Sequence, residues 1–160
     1  MQNAEDQRAT SVRFELRSDQ LIFTHDGGVF NIGDIDSITN LNFSTKSNDQ
    51  EKIGEKGVGF KSVFIYCNEP RIRSGPYDFR IKNLLAPYGS EDEKLFDGTQ
   101  FDFPLGTDIK DLSEAVADIS SGLEHLNETA LLFLNHIQKI EYVLEDGSEH
   151  SIEKLPRGDY

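Results

Sequence analysis

Residues 43–59 constrain the fold more than any other part of this sequence of 160 residues. The segment consists largely of Ser, Thr, Asn, Gly and Lys and holds almost no apolar side chain. It predicts a long loop, and long loops within compact domains usually carry function. We expect the loop to be mobile without a ligand, because it has few apolar anchors and several glycines.

The end of this loop has a glycine spacing suited to anion binding. Residues 53–64 read IGEKGVGFKSVF, a G-x-x-G-x-G pattern that runs into an amphipathic, helix-compatible stretch. Glycines let the backbone approach a ligand closely, and successive N–H groups with a helix N-terminus attract an anion. On spacing alone, a flexible loop with solvated charges explains the pattern equally well. The pattern is not a Walker A loop, because Phe60 separates Gly59 from Lys61, and no strand leads into it as in a Rossmann motif.

The flanking segments predict a mixture of strands and helices. Alternating apolar residues indicate strands at 12–16, 21–24, near 71–74, 77–82 and 99–103, and a closing hairpin of 140–144 and 148–152. Helices are expected from about 34 to 40, over 60–64, over 108–121 and over 127–136. The predicted fold class is α+β, a two-layer sandwich with a mixed sheet and helices on one face. We expect a single domain over 1–160, with a lid at about 43–61 and C-terminal helices and a hairpin at about 108–155.

Composition excludes several classes of function. The net charge of -13 opposes non-specific binding to nucleic acid and docking on anionic lipid. No apolar stretch is long enough to span a membrane. The single cysteine, Cys67, excludes an internal disulfide and an all-cysteine metal site, and it fits the reducing cytoplasm.

Two further segments hold candidate ligand-binding groups. The strand at 21–24 delivers His25 and Asp26 into a glycine turn, where an acceptor could recognise the exocyclic amine of a purine. By itself this segment is better explained as a hairpin turn with Asp-Gly chemistry. Asn3 and two nearby carboxylates could serve Mg²⁺, although a frayed acidic terminus is the simpler explanation of those residues.

In this order, and with PRIRSGPYDF at 70–79, these segments resemble the ATP-binding domain of the GHKL superfamily, which includes gyrase B, histidine kinases and the MutL proteins. The resemblance is greatest to the branch typified by the sacsin N-terminal repeats, whose members carry similar stretches. Here Ser44-Thr45-Lys46 precedes IGEKGVGFKSVF, and the resemblance covers roughly residues 1 to 145. It implies the Bergerat fold, with ATP and Mg²⁺ as ligands.

Family roles transfer to this sequence position by position. Asn3 matches the residue that coordinates Mg²⁺, and Gly98-Thr99 match the pair at the back of the adenine pocket. The adenine-reading motif is D-x-G-x-G; His25 takes its Asp position and Val29 its second Gly, with Asp26 one residue out of register. The nucleotide-binding residues that the resemblance implies are His25, Asp26, Gly27, Lys46, Gly54, Lys56, Gly57, Val58, Gly59, Phe60, Lys61 and Thr99.

The resemblance also bears on catalysis. The family's general-base Glu lies four residues before the Asn that Asn3 matches, a position before Met1, so most of the first helix is expected to be missing. The sequence therefore predicts a truncated ATP-binding module, with no catalytic residue, that binds nucleotide weakly or not at all and does not hydrolyse ATP. Two alternatives stay open: an active ATPase whose true start lies upstream, and a degenerate interaction domain that binds no nucleotide. A protein partner, or the rest of a longer chaperone-like chain, is expected in each case.

Overall fold

A computed structural model describes residues 1–40, 60, 62–82, 87–89 and 95–154. Within these ranges, no helix is long and apolar enough to cross a membrane. The elements follow in chain order: α1 (Gln2–Asp6), β1 (Ser11–Leu16), β2 (Gln20–His25), α2 (Ile32–Asn40), a 3-10 helix (Ser62–Ile65), β3 (Arg71–Gly75), β4 (Tyr77–Ile81), β5 (Pro87–Gly89), β6 (Phe96–Pro104), α3 (Leu112–Glu124), α4 (Thr129–Leu132), β7 (Lys139–Val143) and β8 (Glu149–Glu153).

The strands form one mixed sheet in the order β5-β4-β3-β6-β2-β1-β7-β8. Strands β1 and β7 pair in parallel, and the other neighbours pair antiparallel. Strand β6 inserts between β2 and β3, so the residues of this late strand lie near the middle of the sheet. The α+β class with a mixed sheet is therefore confirmed.

The buried side chains of the strands lie on one face of the sheet, here called the inner face. The cross-strand register places Phe14, Phe23 and Phe101 side by side, with ring centroids 4.8 Å and 5.7 Å apart for successive pairs. Residues from α1, α2 and α4 belong to the same apolar cluster, and α3 packs against a second cluster at the β1–β7 side. Because burying a Phe side chain contributes about 1.5–3 kcal/mol, this face holds the helices against the sheet.

The opposite, outer face of the sheet carries charged side chains. Arg71 contacts Asp78 at 2.6 Å, and Arg73 contacts Asp102 at 3.0 Å across neighbouring strands. A sheet with one apolar and one charged face requires a covering layer on one side only. The predicted arrangement of helices on one face follows from this division.

Helix boundaries differ from the sequence predictions at several places. Helix α3 begins at Leu112 instead of 108, because Asp111 and Glu114 form a reciprocal capping box at its N-terminus. The predicted helix over 127–136 is wrong beyond Leu132, because the next N–H groups donate to a carboxylate instead of to helix carbonyls. Of the stretch predicted as a helix over 60–64, residues 62–64 lie in the 3-10 helix, and β5 was not predicted. The predicted lid falls almost entirely outside the described residues.

Candidate functional site

Three polar side chains form a row across the inner face at one end of the sheet. His25 ends β2 and lies opposite Thr99 of β6, which in turn lies opposite Ser74 of β3. Their exposed fractions are 6%, 1% and 0%. Burying polar groups in an otherwise apolar layer costs free energy unless they are paired. The row, called here the polar row, is therefore the strongest candidate for a binding site in the described part of the chain.

The two hydroxyl groups of the polar row bind each other. Ser74 Oγ lies 2.6 Å from Thr99 Oγ1, and the backbone N–H of Phe30 donates to Ser74 Oγ at 2.8 Å. Two glycines with positive φ, Gly75 and Gly98, lie beside these residues and let the strands bend there. The pair carries two hydroxyl hydrogens, and only one can lie between the two oxygens. The other is left for a further acceptor.

His25 presents a single unpaired N–H. Its Nδ1 accepts the backbone N–H of Gly27 at 3.1 Å, so this nitrogen carries no hydrogen. Burial lowers the pKa of His25 to about 4, so the ring is neutral near pH 7 and carries its hydrogen on Nε2. The ring lies on the inner face, 6.1 Å from the ring of Phe23. Nε2 is buried and has no hydrogen-bond partner among the described residues.

The neighbouring Asp26 serves a different purpose. Its carboxylate accepts the Thr10 N–H at 2.7 Å, the Thr10 hydroxyl at 2.5 Å and the Ser11 N–H at 2.9 Å. Desolvation acts to raise the pKa of Asp26, but these hydrogen bonds outweigh it and hold the pKa below its ordinary value. The structure thus brings His25 and Thr99 together and directs the Asp26 carboxylate to the start of β1.

Gly27 fixes the first helix relative to the polar row. A Cβ at this position would lie 2.7 Å from the Gln7 carbonyl oxygen and 3.0 Å from the Ala9 nitrogen, both backbone atoms. The next residue, Gly28, donates its N–H to that same Gln7 carbonyl at 2.9 Å. Only a residue without a side chain permits this contact. Helix α1, which carries the partly buried Asn3, is therefore held beside the turn that follows His25.

Glu5, two residues after Asn3 in α1, carries a buried carboxylate, with 8% of the residue exposed. It accepts the backbone N–H groups of Asn135, His136 and Ile137 at 2.6, 2.8 and 3.1 Å. Desolvation acts to raise the pKa of Glu5, but these three donors outweigh it and lower the pKa. Glu5 therefore connects α1 to the segment before β7 and is not positioned as a base.

The remaining sequence-predicted residues divide between described and undescribed parts. The Phe60 ring lies 5.9 Å from Phe64 and 6.4 Å from Phe101, so it packs near the polar row. Ser74 was missed by sequence reasoning, although its alternation with Ile72 in a strand is a signal that it faces the core. The residues that lie outside the described ranges are Lys46, Gly54, Lys56, Gly57, Val58, Gly59 and Lys61.

The described residues could hold a magnesium ion only together with a nucleotide, whose phosphates would supply further ligands. Within the described ranges, no group of three or more His, Cys, Asp or Glu side chains could hold a metal. Mg²⁺ usually keeps several waters and takes one or two protein oxygens together with substrate phosphates. The carboxamide of Asn3 can supply one such oxygen.

Comparison with known proteins finds similarity in both sequence and structure. No protein-family model matches the sequence. Human sacsin is 27% identical over 210 aligned residues; the alignment covers 93% of this chain but only 5% of sacsin. The Aquifex aeolicus MutL ATPase domain, in complex with ADP, superposes with a TM-score of 0.55 at 12% identity, over 97% of this chain and 60% of that chain. The chain has the fold of the GHKL-type ATPase domains and is similar in sequence to a small part of sacsin.

Proposed function

We propose that this chain is a nucleotide-binding module of the GHKL type, with ATP and Mg²⁺ the ligands that the family resemblance implies. The observation that carries the proposal is the polar row. The row buries an imidazole, two hydroxyls and, at His25 Nε2, an N–H without a partner among the described residues, and a buried polar group without a partner calls for an explanation such as a ligand. The structural relative is a complex with ADP, which supports a nucleotide as the ligand.

The proposed site divides into a base end and a phosphate end. His25 and Thr99 form the floor of the base end. Asn3, on the helix held against Gly27, would provide an oxygen to a Mg²⁺ ion bound by the phosphates. The glycine-rich segment 54–61 would donate its amides to the phosphates, as its spacing indicates. Phe60 would connect the two ends, since its ring packs on Phe101 of the strand that carries Thr99.

We further propose that the described residues do not hydrolyse ATP. General-base catalysis requires a free acceptor within hydrogen-bond reach of the attacking water. The Glu5 carboxylate is committed to three backbone donors, and His25 lies at the base end. A phosphate-release assay on this chain should therefore show no turnover above background. Hydrolysis that disappears when a residue within this sequence is replaced would contradict this part of the proposal.

Isothermal titration calorimetry with ATP and ADP, each with and without Mg²⁺, tests binding itself. Thr99→Val keeps the side-chain shape and removes a hydroxyl, so it should weaken binding about fivefold to tenfold. Thr24→Val is the matched control, because Thr24 precedes His25 on the same strand and faces outward. Equal effects of the two substitutions, or no binding to the unmodified protein, would overturn the proposal.

The metal contribution needs its own pair of variants. Asn3→Ala should remove much of the enhancement of affinity that Mg²⁺ gives, and should leave metal-free binding largely unchanged. Gln2→Ala is the control, because the exposed Gln2 amide donates to Asp6 one helical turn away and belongs to no part of the proposed site. If Mg²⁺ enhances the affinity equally in the wild type and in Asn3→Ala, then Asn3 does not bind the ion.

The wider setting of the module is also a proposal. The chain spans a small fraction of sacsin, so we propose that it acts together with a protein partner or with further segments of a longer chain. We propose the reducing cytoplasm as its compartment, with which a single, buried cysteine, Cys67, is compatible. Failure to bind any nucleotide would instead favour a degenerate domain kept as an interaction surface.

A further inference from the structure

The base end of the proposed site offers a hydrogen-bond donor where the family motif has an acceptor. In the D-x-G-x-G pattern, the first position is a carboxylate, which can only accept when it is ionised. His25 takes this position and faces the inner side of the sheet beside Thr99. Its Nδ1 is occupied by the Gly27 N–H, so the ring group without a partner among the described residues is the buried Nε2–H donor.

The carboxylate of the adjacent Asp26 does not restore the missing acceptor. The adjacent Asp26 faces the start of β1 and accepts three hydrogen bonds from Thr10 and Ser11. The Ser74 and Thr99 hydroxyls can donate or accept, so they adapt to either kind of ligand. Discrimination between ligands at this end therefore depends on the imidazole.

The two purine types differ in the group that they present at the 6-position. Adenine carries an amine there, which donates, whereas guanine and hypoxanthine carry a carbonyl oxygen, which accepts. An amine that meets the Nε2–H would place two donors against each other, and both would lose their hydrogen bonds to water. A carbonyl oxygen would satisfy the buried N–H that has no partner in the described part of the chain.

We propose that this site selects nucleotides of 6-oxopurines, such as inosine and guanosine diphosphates, over adenine nucleotides, with His25 Nε2–H donating to the carbonyl at the 6-position. The inference rests on the proposed function, since it concerns the base end of the same nucleotide site. It assigns to His25 a specificity role that the imidazole performs while neutral.

Inosine diphosphate and ADP provide the direct test, because they share the ribose and phosphates and differ at the 6-position and the adjacent N1 of the base. Calorimetry on the unmodified protein should give an affinity for inosine diphosphate at least about tenfold higher than that for ADP. The reason is that the buried Nε2–H donor of His25 gains a hydrogen bond in the first complex and stays unpaired in the second. Guanosine diphosphate should follow inosine diphosphate. Equal or tighter binding of ADP would overturn the inference and leave the proposed function standing. Absence of binding by all three nucleotides would overturn both.

A pair of variants tests whether His25 is the discriminating residue. His25→Asp restores an acceptor and should reverse the preference towards ADP, while His150→Asp changes a histidine on β8 remote from the polar row and should leave the preference unchanged. Thermal unfolding of both variants verifies that they fold. An unchanged preference in folded His25→Asp would refute the assignment.

The tautomer can be measured without a ligand and in the native sequence. Nitrogen-15 chemical shifts of the His25 ring should show Nδ1 unprotonated and Nε2 protonated near neutral pH, and the Nε2 resonance should shift on addition of inosine diphosphate. Protonation on Nδ1 would remove the donor from the site and overturn the inference even if a variant fails to fold.

Discussion

Mild acid should destabilise this protein through one side chain, His25. The ring is buried and neutral, and desolvation lowers its pKa from 6.5 to about 4. In the unfolded chain the same ring is exposed to water and takes up a proton near its ordinary pKa. Between these two pKa values the unfolded state binds more protons than the folded state, so the stability falls as the pH falls.

The size of the effect follows from the difference between the two pKa values. Each unit of difference corresponds to about 1.36 kcal/mol, so the full loss is about 3 kcal/mol once the pH is below about 4. Between about pH 7 and about pH 5, the expected contribution of His25 to the loss in the free energy of unfolding is about 2 kcal/mol. Asp26 and Glu5 do not interfere in this range, because hydrogen bonds lower the pKa of each carboxyl.

Urea unfolding followed by circular dichroism at the two pH values measures the loss. His25→Asn is the matched control, because its amide oxygen can accept the Gly27 N–H while the side chain does not titrate. The variant should retain about 2 kcal/mol more of its stability than the wild type over the same change of pH. Parallel losses in the two proteins would refute the argument that a buried, neutral His25 faces the inner side of the sheet.

Four further substitutions have expected outcomes that thermal or urea unfolding can check. Gly27→Ala should destabilise the protein by about 1–3 kcal/mol, because the new Cβ would overlap the backbone carbonyl of Gln7. Unchanged stability would show that the two backbone segments are not in close contact. Gly122→Ala should stabilise by about 0.5–1 kcal/mol, because the position is interior to α3 and open; a loss of stability would contradict the helix. Glu5→Gln should cost about 1–3 kcal/mol by weakening three charge-assisted hydrogen bonds, and a neutral result would mean that water satisfies those donors. Asp111→Ala should cost about 0.5–2 kcal/mol through the lost cap, and no change would mean that α3 starts elsewhere.

Local patterns in the sequence were sufficient for most of the strands and for the fold class. Alternation of apolar and polar residues has the period of a strand, so β1, β2, β3 and β7 could be predicted from neighbouring residues alone. The motif order predicted a mixed sheet in an α+β fold with helices on one face, which the structure confirms. It also selected His25, Thr99 and Asn3 as site residues, and their roles in binding stay predictions.

Tertiary contacts decided what local patterns could not. The helix predicted over 127–136 ends early because Glu5, more than a hundred residues away, accepts the N–H groups that a longer helix would use. No local pattern reveals a partner at that separation in the chain.

The candidate site also depends on contacts between residues that are far apart in the sequence. The sequence aligns His25 and Asp26 with one motif but cannot tell which side chain faces inward. Cross-strand pairing puts His25 beside Thr99, and the start of β1 engages Asp26. The hydrogen bond from Gly27 then leaves the hydrogen of the ring on Nε2. The amino-acid sequence therefore determined which residues are candidates for a nucleotide site, and the packing of the strands determined that the imidazole among them carries its hydrogen on a buried Nε2.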